Sequence, residues 1–185
     1  MEIKNTLTSQ ASRDFGFKKK IQLVNDDIYL STTEDDSIYL VYQSKTAKEF
    51  NQSHIKLLTE IIEKNIKFIG LCIENFIIKN SYLKSILNMT KKLGILHFAF
   101  VACQIRNQDI IDIAYLVKDN KFIQTLNLTR NDLDTNAYDF LLNAARSNSN
   151  LKKLILDENK ISAIKFRYLY SFYKQSKCDN LIGLS

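Results

Sequence analysis

Few side chains in this chain are equipped for chemistry. Imidazole comes only from His54 and His97, and thiols only from Cys72, Cys103 and Cys178. Cys72, His97 and Asn127 follow one another in the order of a nucleophile, its base and an amide that orients the base. Such a set would do thiol chemistry if the imidazole reached the thiol. Whether they meet depends on the elements that carry them. Metal chemistry has less to build on, because C-x-x-C and H-E-x-x-H are absent and zinc wants four convergent ligands. The acidic run from Thr33 to Ser37 lacks the alternating ligands and central glycine of a calcium loop. Four scattered glycines form neither a phosphate loop nor a dinucleotide fingerprint. The expectation is a chain with no cofactor and no metal.

Composition narrows the class. The 185 residues are 45% hydrophobic, 25% charged and 11% aromatic, which suits one well-buried core or one short repeat array and argues against disorder. With no proline and four glycines, collagen-like and proline-rich readings fail. A net charge of +6 would assist binding to nucleic acid or to an acidic protein and identifies neither. No apolar run approaches the roughly 20 residues that span a bilayer, so no membrane insertion is expected. The N-terminus lacks the apolar centre of a secretory signal. Three widely spaced cysteines make a disulfide framework improbable, and a reducing, cytoplasmic setting follows.

Self-similarity carries more information. In Ile123–Leu133 the apolar positions are Ile123, Leu126, Leu128 and Leu133, with Asn131 before the last. In Leu151–Ile161 the same slots hold Leu151, Leu154, Leu156 and Ile161, with Asn159 in the asparagine slot; residues 123 and 151 stand 28 apart. Another step of 28 back reaches Ile95, Phe98, Phe100 and Ile105, with Cys103 in the slot. A step of 27 then gives Phe68, Leu71, Ile73 and Ile78, where Phe76 takes the slot and Asn75 sits one place early. An eroded copy lies around Leu40 and Tyr42, and Leu181 and Leu184 look like the start of one more.

Each copy opens with period-two alternation, the mark of a strand. The spacing between copies then turns helical. The stripes are Phe50, Leu57, Leu58, Ile61, Ile62; Tyr82, Ile86, Leu87, Leu93; Ile110, Ile113, Ala114, Val117; Tyr138, Leu141, Leu142, Ala145; and Ile164, Tyr168, Leu169, Phe172. No strand–helix unit buries its apolar face alone, so the copies must stack. Asparagine in the slot would bond backbone groups where the chain leaves the strand, and Cys103 would do so more weakly. Phe76 in that slot predicts a rearranged turn, with Asn75 compensating.

This pattern resembles the leucine-rich repeat family, L-x-x-L-x-L-x-x-[N/C]-x-[L/I], over about residues 37–185 and most specifically 95–161. The spacing is similar to that of its ribonuclease-inhibitor-like class. The resemblance implies an α/β fold: a short solenoid, a horseshoe segment with parallel strands on its concave face and helices on its convex face. About four to five repeats fill 37–185, the last incomplete, either as a terminal cap or because the chain was cut from something longer. Residues 1–36 form a tail and an irregular β cap, in which Lys18–Leu30 reads as two short strands around Asn25-Asp26-Asp27.

Phasing the copies assigns the concave face. Its central row is Cys72, Ala99, Asn127 and Ile155; one flank is Gly70, His97, Thr125 and Lys153. The other flank is Glu74, Val101, Thr129 and Asp157, with Asn75, Ala102, Arg130 and Glu158 beyond. Cys72, His97 and Asn127 then lie on sheet diagonals, whose side-chain roots are about 7 Å apart. No helix N-terminus or oxyanion hole is indicated beside the thiol, so catalysis is not expected. A modest apolar centre with charged Arg130, Lys153, Asp157 and Glu158 suits a protein partner. The family's frequent use of this face implies the same, with another surface as the other possibility. The expected function is therefore non-catalytic protein binding through Cys72, Glu74, His97, Ala99, Val101, Thr125, Asn127, Thr129, Arg130, Lys153, Ile155, Asp157 and Glu158. The alternative is nucleic-acid binding by Lys18–Lys20 and by Lys165, Arg167 and Lys174 among Phe166, Tyr168, Tyr170, Phe172 and Tyr173. Heavy use of Lys, Asn and Ile suggests an AT-rich genome. The resemblance adds the idea of a bacterial effector translocated into a host cell.

Overall fold

A computed structural model describes Phe17 and residues 27–64, 66–91 and 93–160 with their side chains, and residues 19–25 and 182–183 as backbone. Eight strands form one sheet in the order of the chain: β1 (Lys19–Asn25), β2 (Ile28–Thr32), β3 (Ile38–Glu49), β4 (Gly70–Ile77), β5 (His97–Val101), β6 (Thr125–Asn127), β7 (Lys153–Ile155) and β8 (Ile182–Gly183). β1, β2 and β3 pair antiparallel, and every pairing from β3 to β8 is parallel. Parallel neighbours need a crossover. The described crossovers carry α1 (Gln52–Glu63), α2 (Asn80–Lys91), α3 (Asn107–Asp119) and α4 (Thr135–Arg146).

All four described helices pack on one face of the sheet. Leu58 and Ile61 of α1, Leu83 and Ile86 of α2, Ile110 and Ile113 of α3, and Tyr138 and Leu141 of α4 join one apolar cluster. From the strands and the turns after them, Leu40, Tyr42, Leu71, Ile73, Phe98, Phe100, Leu126, Leu128, Leu154 and Leu156 belong to it. Each fully buried Leu, Ile or Phe contributes roughly 1.5–3 kcal/mol of transfer free energy, so this cluster is the main source of stability. The repeated aliphatic slots thus point inward as their spacing predicted. Two stripe residues differ. Phe50 precedes the N-cap Asn51 yet is buried, and Leu93 lies in the turn after α2, 37% exposed. The stripe expected at 164–172 lies outside the described residues.

Side chains close the helix ends. Asn51 Oδ1 accepts from the Ser53 N–H at 3.0 Å, while His54 Nδ1 accepts from the Asn51 N–H at 3.0 Å. That is a capping box with imidazole in the place of the usual glutamate. Asp134 Oδ1 accepts from the N–H groups of Asn136 and Ala137.

The asparagine slot behaves as the repeat requires. Asn131 Oδ1 accepts from the N–H groups of Cys103 and Ile105, both at 3.0 Å. Its Nδ2 donates to the carbonyls of Phe100, Leu128 and Thr129. Asn159 repeats the arrangement one unit later, and the Cys103 thiol donates to the carbonyls of Ile73 and Val101 at 3.3 Å. Burial pushes that thiol far above its ordinary pKa, as befits a structural cysteine. Where Phe76 fills the slot the turn is rebuilt. Phe76 packs edge-on against Phe50 and His54, and β4 runs on to Ile77 beside a register shift in β3 between Gln43 and Lys48. Asn75 Nδ2 donates to the Ser44 carbonyl at 2.9 Å, so an asparagine one place early still satisfies a backbone group.

Candidate functional site

The face of the sheet opposite the helices carries the rows that phasing assigned to it. Cys72, Ala99, Asn127 and Ile155 are register partners across β4–β7, and so are Gly70, His97, Thr125 and Lys153. Glu74 pairs with Val101. Their exposure differs from the expected open surface. Cys72, Ala99, Val101, Asn127 and Thr129 are completely buried; Glu74, Thr125 and Ile155 are buried too. His97, Lys153 and Asp157 are half-buried, and only Arg130 and Glu158 of the predicted set are exposed.

For Cys72, Ala99 and Val101 the physical reason is a second apolar cluster on this face. Phe17, Tyr29, Tyr39, Val41, Cys72, Ala99 and Val101 pack together, with Ile69 and Ala102 at the margin. Tyr39 lies flat across Gly70, and a Cβ placed there would stand 2.2 Å from the ring, so only glycine lets the ring rest on the strand. Phe17 packs on Tyr39 with centroids 5.0 Å apart, and His97 stacks on it at 5.6 Å. Burial pushes the Tyr39 hydroxyl up to about 12, with Asp35 adding to the shift; burial also lowers the His97 pKa. Deeper in, the Tyr29 hydroxyl donates to Gln43 Oε1 at 2.7 Å, and Gln43 Nε2 donates to the buried Glu74 at 3.3 Å.

Thiol catalysis finds no support in this geometry. His97 faces Tyr39, and Asn127 Oδ1 accepts from the N–H and hydroxyl of Thr129 at 2.9 and 2.6 Å, which turns it toward the strand end. Among the described residues no group of three or more His, Cys, Asp or Glu could hold a metal ion. No helix among them is long and apolar enough to cross a membrane. The basic-aromatic segment 165–174 and the side chains of Lys18–Lys20 lie outside the described residues.

The strand ends show what sequence reasoning missed. Asn75, Ala102, Arg130 and Glu158, each just before the asparagine slot, have φ of 60°, 52°, 58° and 53°. Their left-handed backbone interrupts the row, inside β4 at Asn75 and past the strand end at the other three; Arg130 and Glu158 stand in solvent, where Arg130 Nε meets Glu158 Oε2 at 2.8 Å. A second asparagine pair, Asn120 and Asn148, bonds the return into the strands. Asn120 Oδ1 accepts from Phe122 and Ile123, Asn148 Oδ1 accepts from Asn150 and Leu151, and Asn148 Nδ2 donates to the carbonyls of Val117 and Asn120. Residues 120 and 148 again stand 28 apart, a signal that was present in the sequence. On the helix side, a hollow of about 380 Å³ between α3 and α4 is rimmed by the exposed Ile111, Tyr115 and Phe140.

Two solved structures share this arrangement. One, described as leiomodin-1 actin-binding site 2, superposes with a TM-score of 0.62 at 19% identity, covering 72% of this chain and 80% of its own. The other is the tropomodulin C-terminal domain from Caenorhabditis elegans, with a TM-score of 0.58 at 13% identity, covering 71% of this chain and 82% of its own. This chain has a leucine-rich-repeat-like α/β fold. No family model matches the sequence, and no curated protein matches it. At such identity the likeness concerns the fold.

Proposed function

We propose that this chain is a non-catalytic protein-binding module of the leucine-rich repeat type. In this reading it is a short ribonuclease-inhibitor-like solenoid over residues 37–185, capped by residues 1–36, whose concave face takes the partner. The single observation that carries it is the register of the open-face rows, which lines up Gly70, His97, Thr125 and Lys153, and Cys72, Ala99, Asn127 and Ile155, across adjacent parallel strands. Rigid rows of side chains on one sheet face suit recognition better than bond chemistry, and among the described residues no convergent nucleophile, base and oxyanion donor accompanies them. The leiomodin-1 domain that shares this fold is an actin-binding site, which supports actin as the first partner to test. Contact starts at the accessible margin, Arg130, Glu158, Lys153 and Asp157, and extends inward as the centre is uncovered. Cytoplasmic residence and the effector idea belong to the same proposal; Cys72 and Cys103, buried and outside any disulfide, suit a reducing compartment.

The test is binding of the chain to monomeric actin by fluorescence anisotropy and to filaments by co-sedimentation. It is run beside the double variant Arg130→Glu, Lys153→Glu. Saturable binding weakened about tenfold or more by the variant is the expected result, about 1.4 kcal/mol of lost margin contacts. No binding to either form removes actin as the partner, and equal binding by both proteins places the contact on another surface.

A further inference from the structure

The proposed binding face is buried at its centre, and the residue that reaches it from outside the sheet points to how it opens. On the helix side, the four described helices supply the cover. On the open face, every described member of the apolar cluster except Phe17 belongs to β2–β5 or to a residue flanking them. Among the described residues Phe17 alone comes from beyond the sheet, and it is 7% exposed.

The seat it occupies is built for a ring. Tyr39 forms one wall, held flat by the missing Cβ of Gly70 and backed by the stacked His97. The Phe17 ring meets that wall tilted by 60° at 5.0 Å, a favourable aromatic arrangement. The floor is Val41, Cys72, Ala99 and Val101, none larger than valine, which leaves depth for a side chain from above. Phe17 stands two residues before β1, the edge strand, which pairs with β2 alone and breaks register between Gln22 and Asn25. Edge elements with few partners open at lower free energy than the central strands.

We propose that Phe17 is a displaceable plug. It holds an aromatic seat on the open face of the sheet, and a partner presenting an aromatic side chain takes that seat in its place. This rests on the binding face proposed above and adds its regulation: the chain competes with its own partner, and binding requires release of Phe17. A single buried aromatic is the type of anchor that dominates protein interfaces, so one ring can exchange for another without dismantling the sheet.

Cys72 reports on the plug directly, because it lies on the floor of the seat, while Cys103 lies in the helix-side core. The experiment uses the full chain carrying Cys178→Ser, labelled with a maleimide under native conditions and read residue by residue by mass spectrometry. In the parent both thiols react slowly. In Phe17→Ala, Cys72 labelling accelerates at least about tenfold while Cys103 stays slow, and Phe17→Leu, which still fills the seat, keeps Cys72 protected. Cys72 labelling at the parent rate in Phe17→Ala overturns the proposal. So does a parallel rise at Cys103, which means that the whole domain has loosened. The readout needs no partner, so a failure of actin to bind leaves it intact, and protection of Cys72 in Phe17→Ala leaves the actin test intact.

Discussion

Replacing Asn131 by alanine tests whether the asparagine slot holds the repeats together. Asn131 is 9% exposed and makes five hydrogen bonds to backbone groups of two successive units. Truncation does not orphan all five partners. The Leu128 carbonyl keeps Asn159 Nδ2 at 2.9 Å, and the Thr129 carbonyl keeps the Ala102 N–H at 3.0 Å. The Cys103 and Ile105 N–H groups lose their acceptor, and the Phe100 carbonyl loses its 2.6 Å donor. At roughly 1–2 kcal/mol for each buried polar group left unpaired, the expected loss is about 3–6 kcal/mol. A domain of this size has about 5–15 kcal/mol in all.

Asn159→Ala removes the acceptor of the Leu133 N–H and the donor to the Leu156 carbonyl at a half-buried site, two groups rather than three, so it should cost less, about 1–3 kcal/mol. Asn131→Asp keeps the acceptor but turns a carboxylate oxygen toward the three carbonyls that the amide nitrogen now serves, and should cost at least as much as alanine. Urea unfolding followed by circular dichroism measures all three, with the midpoint expected to fall at constant m-value. The reasoning is refuted if Asn131→Ala costs less than about 1 kcal/mol, or if Asn159→Ala costs more than Asn131→Ala.

Three further outcomes follow from the same geometry. Gly70→Ala drives a methyl into the Tyr39 ring and should destabilise by about 1–3 kcal/mol, most of it recovered when Tyr39→Ala is added; additive losses in a double-mutant cycle would remove the close approach as the cause. Ala102 sits at φ 52°, so Ala102→Val should cost more than about 1 kcal/mol and Ala102→Gly should cost nothing or stabilise; equal melting temperatures for the two variants would contradict a left-handed turn there. Burial lowers the His54 pKa below its ordinary 6.5, with Asp27 opposing and Lys48 reinforcing the shift, while its Nδ1 must stay unprotonated to accept from Asn51. The unfolded chain therefore binds the proton first. Stability is whole above pH 6.5 and is lost as pH falls through the depressed folded value. His97 shifts the same way, so His54→Gln should remove part, not all, of the decline in urea midpoint between about pH 7 and 5, and an unchanged decline would exclude His54 as a contributor.

The strand register was legible because one physical constraint recurs. An aliphatic slot that must face the helices fixes the direction of its neighbours, and a repeated spacing fixes which neighbours stand side by side. Leu126 beside Leu154 and Asn127 beside Ile155 follow from that alone. The turns were less legible. A left-handed conformation announces itself when glycine holds it, but here Asn75, Ala102, Arg130 and Glu158 do, and three of the four carry no compositional signal. The antiparallel start was readable as two strands around Asn25-Asp26-Asp27. The length of β3 was not, because its far half is an exposed run paired through a register shift to a β4 prolonged by Phe76.

The burial of the open face was hidden for a different reason. Periodicity says which way a side chain points and nothing of what lies opposite, so Cys72, Ala99 and Val101 read equally well as a surface or as a floor. The clue lay in their size. A patch of small side chains such as Val41, Cys72, Ala99 and Val101 leaves room for a bulky side chain from elsewhere. Tyr39, one strand away with Gly70 beneath it, is the bulky neighbour that makes such a patch worth covering. Smallness along a repeat face therefore argues for an occupant, from the same chain or from another. The charged residues left outside, Arg130 and Glu158, lie at the exposed margin of that face.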